Sequence, residues 1–199
     1  VFEKNPEPGG MLRYGIPSYK LDKKVIDAEI DIMREIGVEI RTGVEVGKDI
    51  TLDELRAQGY KAFYVAIGCQ GARLPGIPGQ DAEGVTTAID FLHEANCGQR
   101  KLSGKVVVVG GGNVAIDAAR VALRSGASEV TMLSLETEDI MPASPAERAE
   151  AREDGVVINP GWGPKEVLTA DGKVSSVVFK RCTSVFDAEH RFSPTYDEQ

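Results

Sequence analysis

The sequence predicts an α/β fold, and three observations carry that prediction. Apolar runs of strand length alternate with stretches of helical periodicity along the 199 residues. The stretch KVVVVGGGNVAIDAARVALRSGA, beginning at Lys105, reads as a strand, a glycine-rich turn and a helix of small residues. Capping residues stand just ahead of the helical stretches, and glycines stand just past their ends.

The elements follow in order. Asp22 caps a helix running to Ile36, with Val25, Ile26, Glu29, Ile32, Met33 and Ile36 on a mostly apolar face and Gly37 as its stop. Residues 38–40 and 44–46 alternate as short strands around a Thr42-Gly43 turn. Thr51 and Glu54 form a capping box for a short helix that Gly59 ends. Residues 60–67 read as a buried strand closed by Gly68, and a Pro/Gly-rich loop over 71–84 punctuates the chain. Thr86 or Thr87 then caps a short helix through Phe91 to Ala95.

Residues 106–109 form a continuous apolar strand, as expected when both faces of a parallel sheet are covered. A helix from Asn113 to Arg124 follows, stopped by Gly126, and then a strand over 129–135. Ser144-Pro145-Ala146-Glu147 is a second capping box, whose helix ends at Gly155 before a short strand at 156–158. Residues 165–169 and 173–182 flank Asp171-Gly172, the signature of a β-hairpin.

Composition narrows the function classes. A formal charge of −8 argues against a nucleic-acid or anionic-membrane partner. No apolar run approaches the roughly 20 residues of a membrane helix, and Val1-Phe2-Glu3-Lys4 does not open a signal peptide. Cys69, Cys97 and Cys182 suit neither a disulfide framework nor a metal site, so a reducing, cytoplasmic setting is expected, with no metal. Val1-Phe2-Glu3 reads as the tail of a strand, and the end of the sequence, residues 193–199, stops without an obvious closing element. We therefore expect a piece of a longer protein.

The turn at 110–115 carries the first functional signal. Gly110, Gly112 and Ala115 fill the pattern G-x-G-x-x-G/A. The first glycine permits a tight turn, the second lets a pyrophosphate approach the backbone, and the small third residue lets helix and strand pack closely. The N–H groups at the start of the helix then face the phosphates. A bare structural turn is the alternative, but the strand before and the helix after are the context that favours a dinucleotide. At the end of the second strand an acidic residue accepts hydrogen bonds from the ribose hydroxyls and repels a 2′-phosphate. Glu136 stands there, with no Arg or Lys between Arg124 and Arg148. NAD(H) is therefore expected over NADP(H), unless Glu136 is only a solvated loop carboxylate.

Three further stretches, together with the glycine turn, carry a family resemblance. PEPGGMLRYGIPSYKL from Pro6, GVEIRTGVEVGKDITLDEL from Gly37, YVAIG from Tyr64 and GGGNVAIDAAR from Gly110 stand in the order seen in the glutamate synthase small-subunit family. The chain resembles that family of flavin- and pyridine-nucleotide-dependent oxidoreductases along its whole length. The resemblance implies a Rossmann-like NAD(P)-binding domain inserted in an FAD-binding Rossmann-like domain, the two-dinucleotide-binding-domain flavoprotein arrangement. On that plan residues 1–84 are a partial FAD-binding domain and 85–192 the NAD(P)H-binding domain. Residues 193–199 begin the return to the FAD domain.

The same resemblance assigns residues. Glu3 falls where a carboxylate holds the FAD ribose; Gly9, Gly10, Met11, Leu12 and Arg13 match the segment along the flavin; Ala66, Ile67 and Gly68 match the turn near FAD. Read from their chemistry alone, these are a surface charge, a flexible turn and a solvated cation. Gly111, Asn113, Val114 and Asp117 complete the glycine-loop pattern, although Asn113 also suits a helix cap and Asp117 a polar helix position. Met141-Pro142-Ala143 shapes the loop after the second strand. The FAD glycine loop, the returning FAD segment and the iron–sulfur cysteines of several members are absent from these 199 residues. Leu135-Glu136 replaces the paired arginines that suit NADPH in the glutamate synthase small subunit.

The implied reaction is hydride transfer between NAD(P)H and FAD, with electrons passed to a partner subunit or an iron–sulfur centre. It requires no acid–base triad, and none is visible. The isolated piece is expected to bind nucleotide with little or no activity. The alternative is a non-catalytic NAD(P)-binding module that docks to an electron-transfer partner.

Overall fold

A computed structural model describes residues 1–197, and the chain divides into two compact units, Val1–Gln70 and the part from Gly71 onward. The first unit contains β1 (Phe2–Glu3), α1 (Gly10–Tyr14), α2 (Lys23–Glu35), β2 (Arg41–Thr42) and α3 (Leu52–Ala57). Asp22 caps α2 by accepting the Lys24 N–H at 3.0 Å, and Gly37, at φ +97°, ends it. Only Ile26 and Ile30, one turn apart, are buried on α2. Val25, Ile32, Met33 and Ile36 are exposed, so of the expected apolar face only Ile26 is buried, and Ile30, outside that expectation, is buried with it. Thr51 and Glu54 close the expected capping box on α3.

Two expectations fail in this unit. The short strands expected at 38–40 and 44–46 do not form; pairing falls between them, where β2 runs parallel to β1 with Phe2 opposite Arg41. The buried strand expected over 60–67 is also absent. Residues 60–77 carry no helix or strand, and Tyr64 is 95% exposed and Ile67 81%. A strand needs a neighbour to take its N–H and C=O groups, and apolar content alone does not supply one.

The second unit contains α4 (Ala88–Asn96), β3 (Lys105–Val109), α5 (Asn113–Arg124), β4 (Glu129–Ser134), α6 (Pro145–Glu153), β5 (Val157–Pro160), β6 (Trp162–Ala170), β7 (Lys173–Phe186) and β8 (Phe192–Tyr196). Thr87, not Thr86, caps α4. β3, β4 and β5 form a parallel sheet in that order, with Val107 opposite Thr131 and Thr131 opposite Val157. One face of this sheet is covered by helices. Ile116 and Ala119 of α5, Val130 and Met132 of β4, Leu92 of α4 and Ala151 of α6 form its core. The other face is open at β3, where Val107 and Val109 are 44% and 47% exposed. The run of valines therefore does not mark a strand covered on both faces.

A second, antiparallel sheet is ordered β6-β7-β8. Asp171 (φ +52°) and Gly172 (φ +78°) make the expected tight turn, both residues in the left-handed region. β7 continues past the expected end to Phe186 and pairs with β8, so residues 193–196 of the stretch read as lacking a closing element belong to a strand. Glu198 and Gln199 lie outside the described residues. The Pro/Gly-rich loop belongs to this unit. The Val167 N–H donates to the Pro78 carbonyl at 2.9 Å, and the Glu83 N–H to the Gly172 carbonyl at 3.1 Å.

Candidate functional site

The parallel sheet leads directly to the glycine loop. β3 ends at Val109, and the Gly110 N–H donates to the Leu133 carbonyl of β4 at 2.8 Å. Gly110 has φ +144°, and a Cβ there would lie 3.3 Å from the Ala115 Cβ. The first glycine and the small residue five positions later thus meet each other, as the pattern requires. Gly112 caps α5 in an extended conformation, with no side chain on the first-turn N–H groups and nothing within 4 Å of where its Cβ would be. Open space and a helix start without a side-chain cap thus coincide at a 12-residue helix.

Glu136, in the loop after β4, reaches the same turn. A Cβ on Gly111 would stand 2.5 Å from the Glu136 Oε2 and 3.0 Å from the Ser134 Cβ. The carboxylate is therefore against the backbone of the glycine turn. Its own backbone is held twice, because the Glu136 carbonyl accepts from the Ser134 hydroxyl at 3.0 Å and from the Gly161 N–H at 2.8 Å. Cys182 lies nearby. Burial raises its thiol pKa, the charge of Glu136 adds to the rise, and Arg181 and Lys180 oppose it.

The loop after β4 is tied to the glycine turn. Met141 and Ala143 are buried, and the Ala143 N–H donates to the Gly111 carbonyl at 2.9 Å. Asn113 does not cap its own helix. Its Oδ1 accepts the Ser144 N–H at 3.0 Å, which joins the start of α5 to the start of α6. Val114 is exposed, Ala115 buried and Asp117 half-buried one turn along α5. Sequence reasoning missed Ser134 and Gly161. A hydroxyl residue directly after the apolar pair Met132-Leu133 was the available signal for Ser134.

The residues assigned to FAD by resemblance are placed differently. Glu3 accepts the Asn5 N–H at 2.8 Å. Arg13 is buried, with its guanidinium bound to the Pro8 carbonyl, Glu7 and Asp27. Its pKa is raised: burial opposes the rise, and Asp27 and Glu7 outweigh it. Arg13 thus secures the turn that carries Gly9 (φ +127°) and Gly10 (φ +50°) and directs no free charge outward. Met11 and Leu12 are exposed, and Ala66, Ile67 and Gly68 lie in the stretch without strand partners. The glycine cradle at 110–112 fits a dinucleotide. Around the flavin-assigned residues, the bonds of Glu3 and Arg13 describe a folded turn.

A parallel β3-α5-β4 unit with this turn defines a Rossmann-type protein. Residues 44–190 match the family described as pyridine nucleotide-disulphide oxidoreductase. The chain belongs to that family. The β-subunit of the NADP(+)-dependent formate dehydrogenase of Moorella thermoacetica is 37% identical over 181 residues, covering 89% of this chain and 26% of that protein. The small chain of the NADPH glutamate synthase of Escherichia coli is 36% identical over 195 residues, covering 91% of this chain and 41% of that protein. The expected resemblance to the glutamate synthase small subunit is borne out. An NAD-dependent dihydropyrimidine dehydrogenase subunit of Escherichia coli O157:H7 is 38% identical over 169 residues, covering 84% of this chain and 40% of that protein. The chain thus spans well under half the length of these relatives. Among solved structures, FprA of Mycobacterium tuberculosis in complex with NADPH superposes with a TM-score of 0.80 at 20% identity. That match covers 100% of this chain and 60% of FprA and shows a shared fold. Among the described residues no helix is long and apolar enough to cross a membrane.

Proposed function

We propose that this chain binds a pyridine dinucleotide at the glycine turn and serves hydride transfer within a longer flavoprotein. Gly110, Gly111 and Gly112 lie under the pyrophosphate, with the first N–H groups of α5 facing it. Val114 and Asp117 border the same helix start. Ala115 lets α5 approach β3, and Asn113 holds the neighbouring loop. Glu136 accepts the ribose hydroxyls, which favours NADH over NADPH. The observation that carries this reading is the Glu136 carboxylate lying against Gly111, where a 2′-phosphate would meet a negative charge.

The relatives do not support the NADH preference, since two of those named above carry NADP(+) or NADPH in their names and one carries NAD, so it rests on the residues of this site alone. Titration of the protein with each nucleotide, followed by nicotinamide fluorescence, tests the choice. We expect tighter binding of NADH, and replacement of Glu136 by Ala to weaken NADH by about fivefold, the value of a hydrogen bond or two. Tighter NADPH binding by the unaltered protein would refute the preference.

In the whole protein, residues 1–84 contribute to the FAD-binding domain into which 85–192 is inserted, and 193–199 lead back toward it. A flavin held by the longer protein would supply the hydride acceptor and the route by which electrons reach a partner subunit or iron–sulfur centre. This chain's part is to hold the nicotinamide nucleotide in register. Expression of the full reading frame tests this: a yellow protein bleached by NADH supports it, and a colourless one supports a binding module without catalysis.

A further inference from the structure

We infer that Ser134 is a positioning residue for cofactor choice, acting through Glu136; the inference rests on the reading of Glu136 given above. Ser134 is the last residue of β4 and only 1% exposed, in a strand whose preceding residues Met132 and Leu133 are buried and apolar. A buried hydroxyl there must be satisfied, and it donates to the Glu136 carbonyl at 3.0 Å. The Gly161 N–H meets the same carbonyl oxygen from the start of β6 at 2.8 Å. The Gly161 carbonyl in turn accepts the Cys182 N–H at 2.9 Å, so the anchor extends into β7.

These bonds fix the backbone from which the Glu136 side chain springs. Ser134 and Glu136 also flank one atom position: a Cβ on Gly111 would be 3.0 Å from the Ser134 Cβ and 2.5 Å from the Glu136 Oε2. The chain reverses immediately after β4 with the serine inside and the carboxylate on the glycine turn. Without the hydroxyl, residue 136 keeps a single anchor, and its carboxylate samples positions away from the ribose. Repulsion of a 2′-phosphate weakens along with the hydrogen bonds to a 2′-hydroxyl, so discrimination falls while pyrophosphate binding at the turn remains.

Replacing Ser134 with Ala removes one donor and leaves no orphan, because the Glu136 carbonyl retains the Gly161 N–H. The test is a double-mutant cycle in the 199-residue chain with Ser134→Ala, Glu136→Ala and both, reading the ratio of NADPH to NADH dissociation constants. The expected result is a fall in that ratio of about threefold to fivefold for Ser134→Ala, in line with one lost hydrogen bond. In the Glu136→Ala background Ser134→Ala is expected to leave the ratio unchanged. An unchanged ratio in the first background, or equal falls in both, would overturn the inference. If Glu136→Ala itself leaves the ratio where it was, the reading of Glu136 fails and this inference fails with it. If Glu136→Ala shifts the ratio and Ser134→Ala does not, only the role of Ser134 is lost. Should Ser134→Ala not fold, Ser134→Cys keeps the volume with a weaker donor and is expected to give an intermediate ratio; a ratio equal to that of the unaltered protein would overturn the inference.

Discussion

At the level of single residues, two adjacent glycines do different work. Gly110 is required by its backbone, since φ +144° is a conformation that side chains with a Cβ rarely adopt. Gly110→Ala should therefore cost about 1–3 kcal/mol of stability, seen as a lowered thermal midpoint. Gly111 has no such backbone constraint and is required by its neighbours. Gly111→Ala places a methyl against the tip of Glu136, which swings aside. We expect NADH affinity to fall on the order of tenfold, about 1.4 kcal/mol, with a smaller loss of stability than at Gly110; titration and thermal unfolding on the same samples separate the two. Both glycines stand out in the sequence motif, but the Glu136 contact that makes Gly111 necessary joins the turns that follow β3 and β4 and becomes visible only when those strands are paired.

Among the elements, α5 and α6 are fastened at their far ends by charge. Arg120, with its side chain 8% exposed, bonds Asp154 and Glu150, and Arg124 bonds Asp154 at 2.6 Å. At their near ends the same helices are joined by Asn113 and Ser144. The pair is thus held at both ends, which keeps the helix start at Gly112 beside the loop carrying Met141 and Ala143. Arg120→Met should cost about 2–3 kcal/mol in urea unfolding, the value of hydrogen bonds between charged groups. The Arg124 guanidinium, with Arg120, holds the Asp154 carboxyl below the usual carboxylate range. A carboxyl whose pKa is lower folded than unfolded adds stability that is fully present above its unfolded value of about 3.9 and lost as pH falls through the folded value. Asp154→Asn should flatten that acid limb in a series of unfolding curves, and an unaltered limb would count against the clamp. The helix starts were legible because Asp22, Thr51, Thr87 and Ser144 act locally on N–H groups two or three residues ahead. The burial of whole faces was less legible. Val107, Val109 and three residues of α2, Val25, Ile32 and Met33, are apolar yet exposed, since burial depends on what lies opposite.

For the whole molecule, the division falls between Gln70 and Gly71, within the stretch 60–77 that lacks helix and strand. Chymotrypsin should therefore cut first after Phe63 or Tyr64, before any site in the second unit, with early fragments read by mass spectrometry. First cleavage within α5 or β4 would contradict this description. The second unit contains the parallel sheet, both sides of the glycine turn and Glu136, so NADH should slow digestion of that unit and leave the first cut unchanged.

The sequence by itself determined the α/β class, the helix caps, the Asp171-Gly172 turn and the glycine turn between β3 and α5. All of these arise from residues within about one turn of helix or one hairpin of each other, where sterics and local hydrogen bonds decide the backbone. It also carried enough pattern to reveal the family. Tertiary structure alone decided that 60–67 would not be a strand and that Arg13 would secure its own turn. It alone decided that Asn113 would bond a second helix and that Ser134 and Gly161 would hold Glu136. Each of these depends on a partner distant in the chain, and a strand, a buried charge or a buried hydroxyl is stable only where that partner meets it.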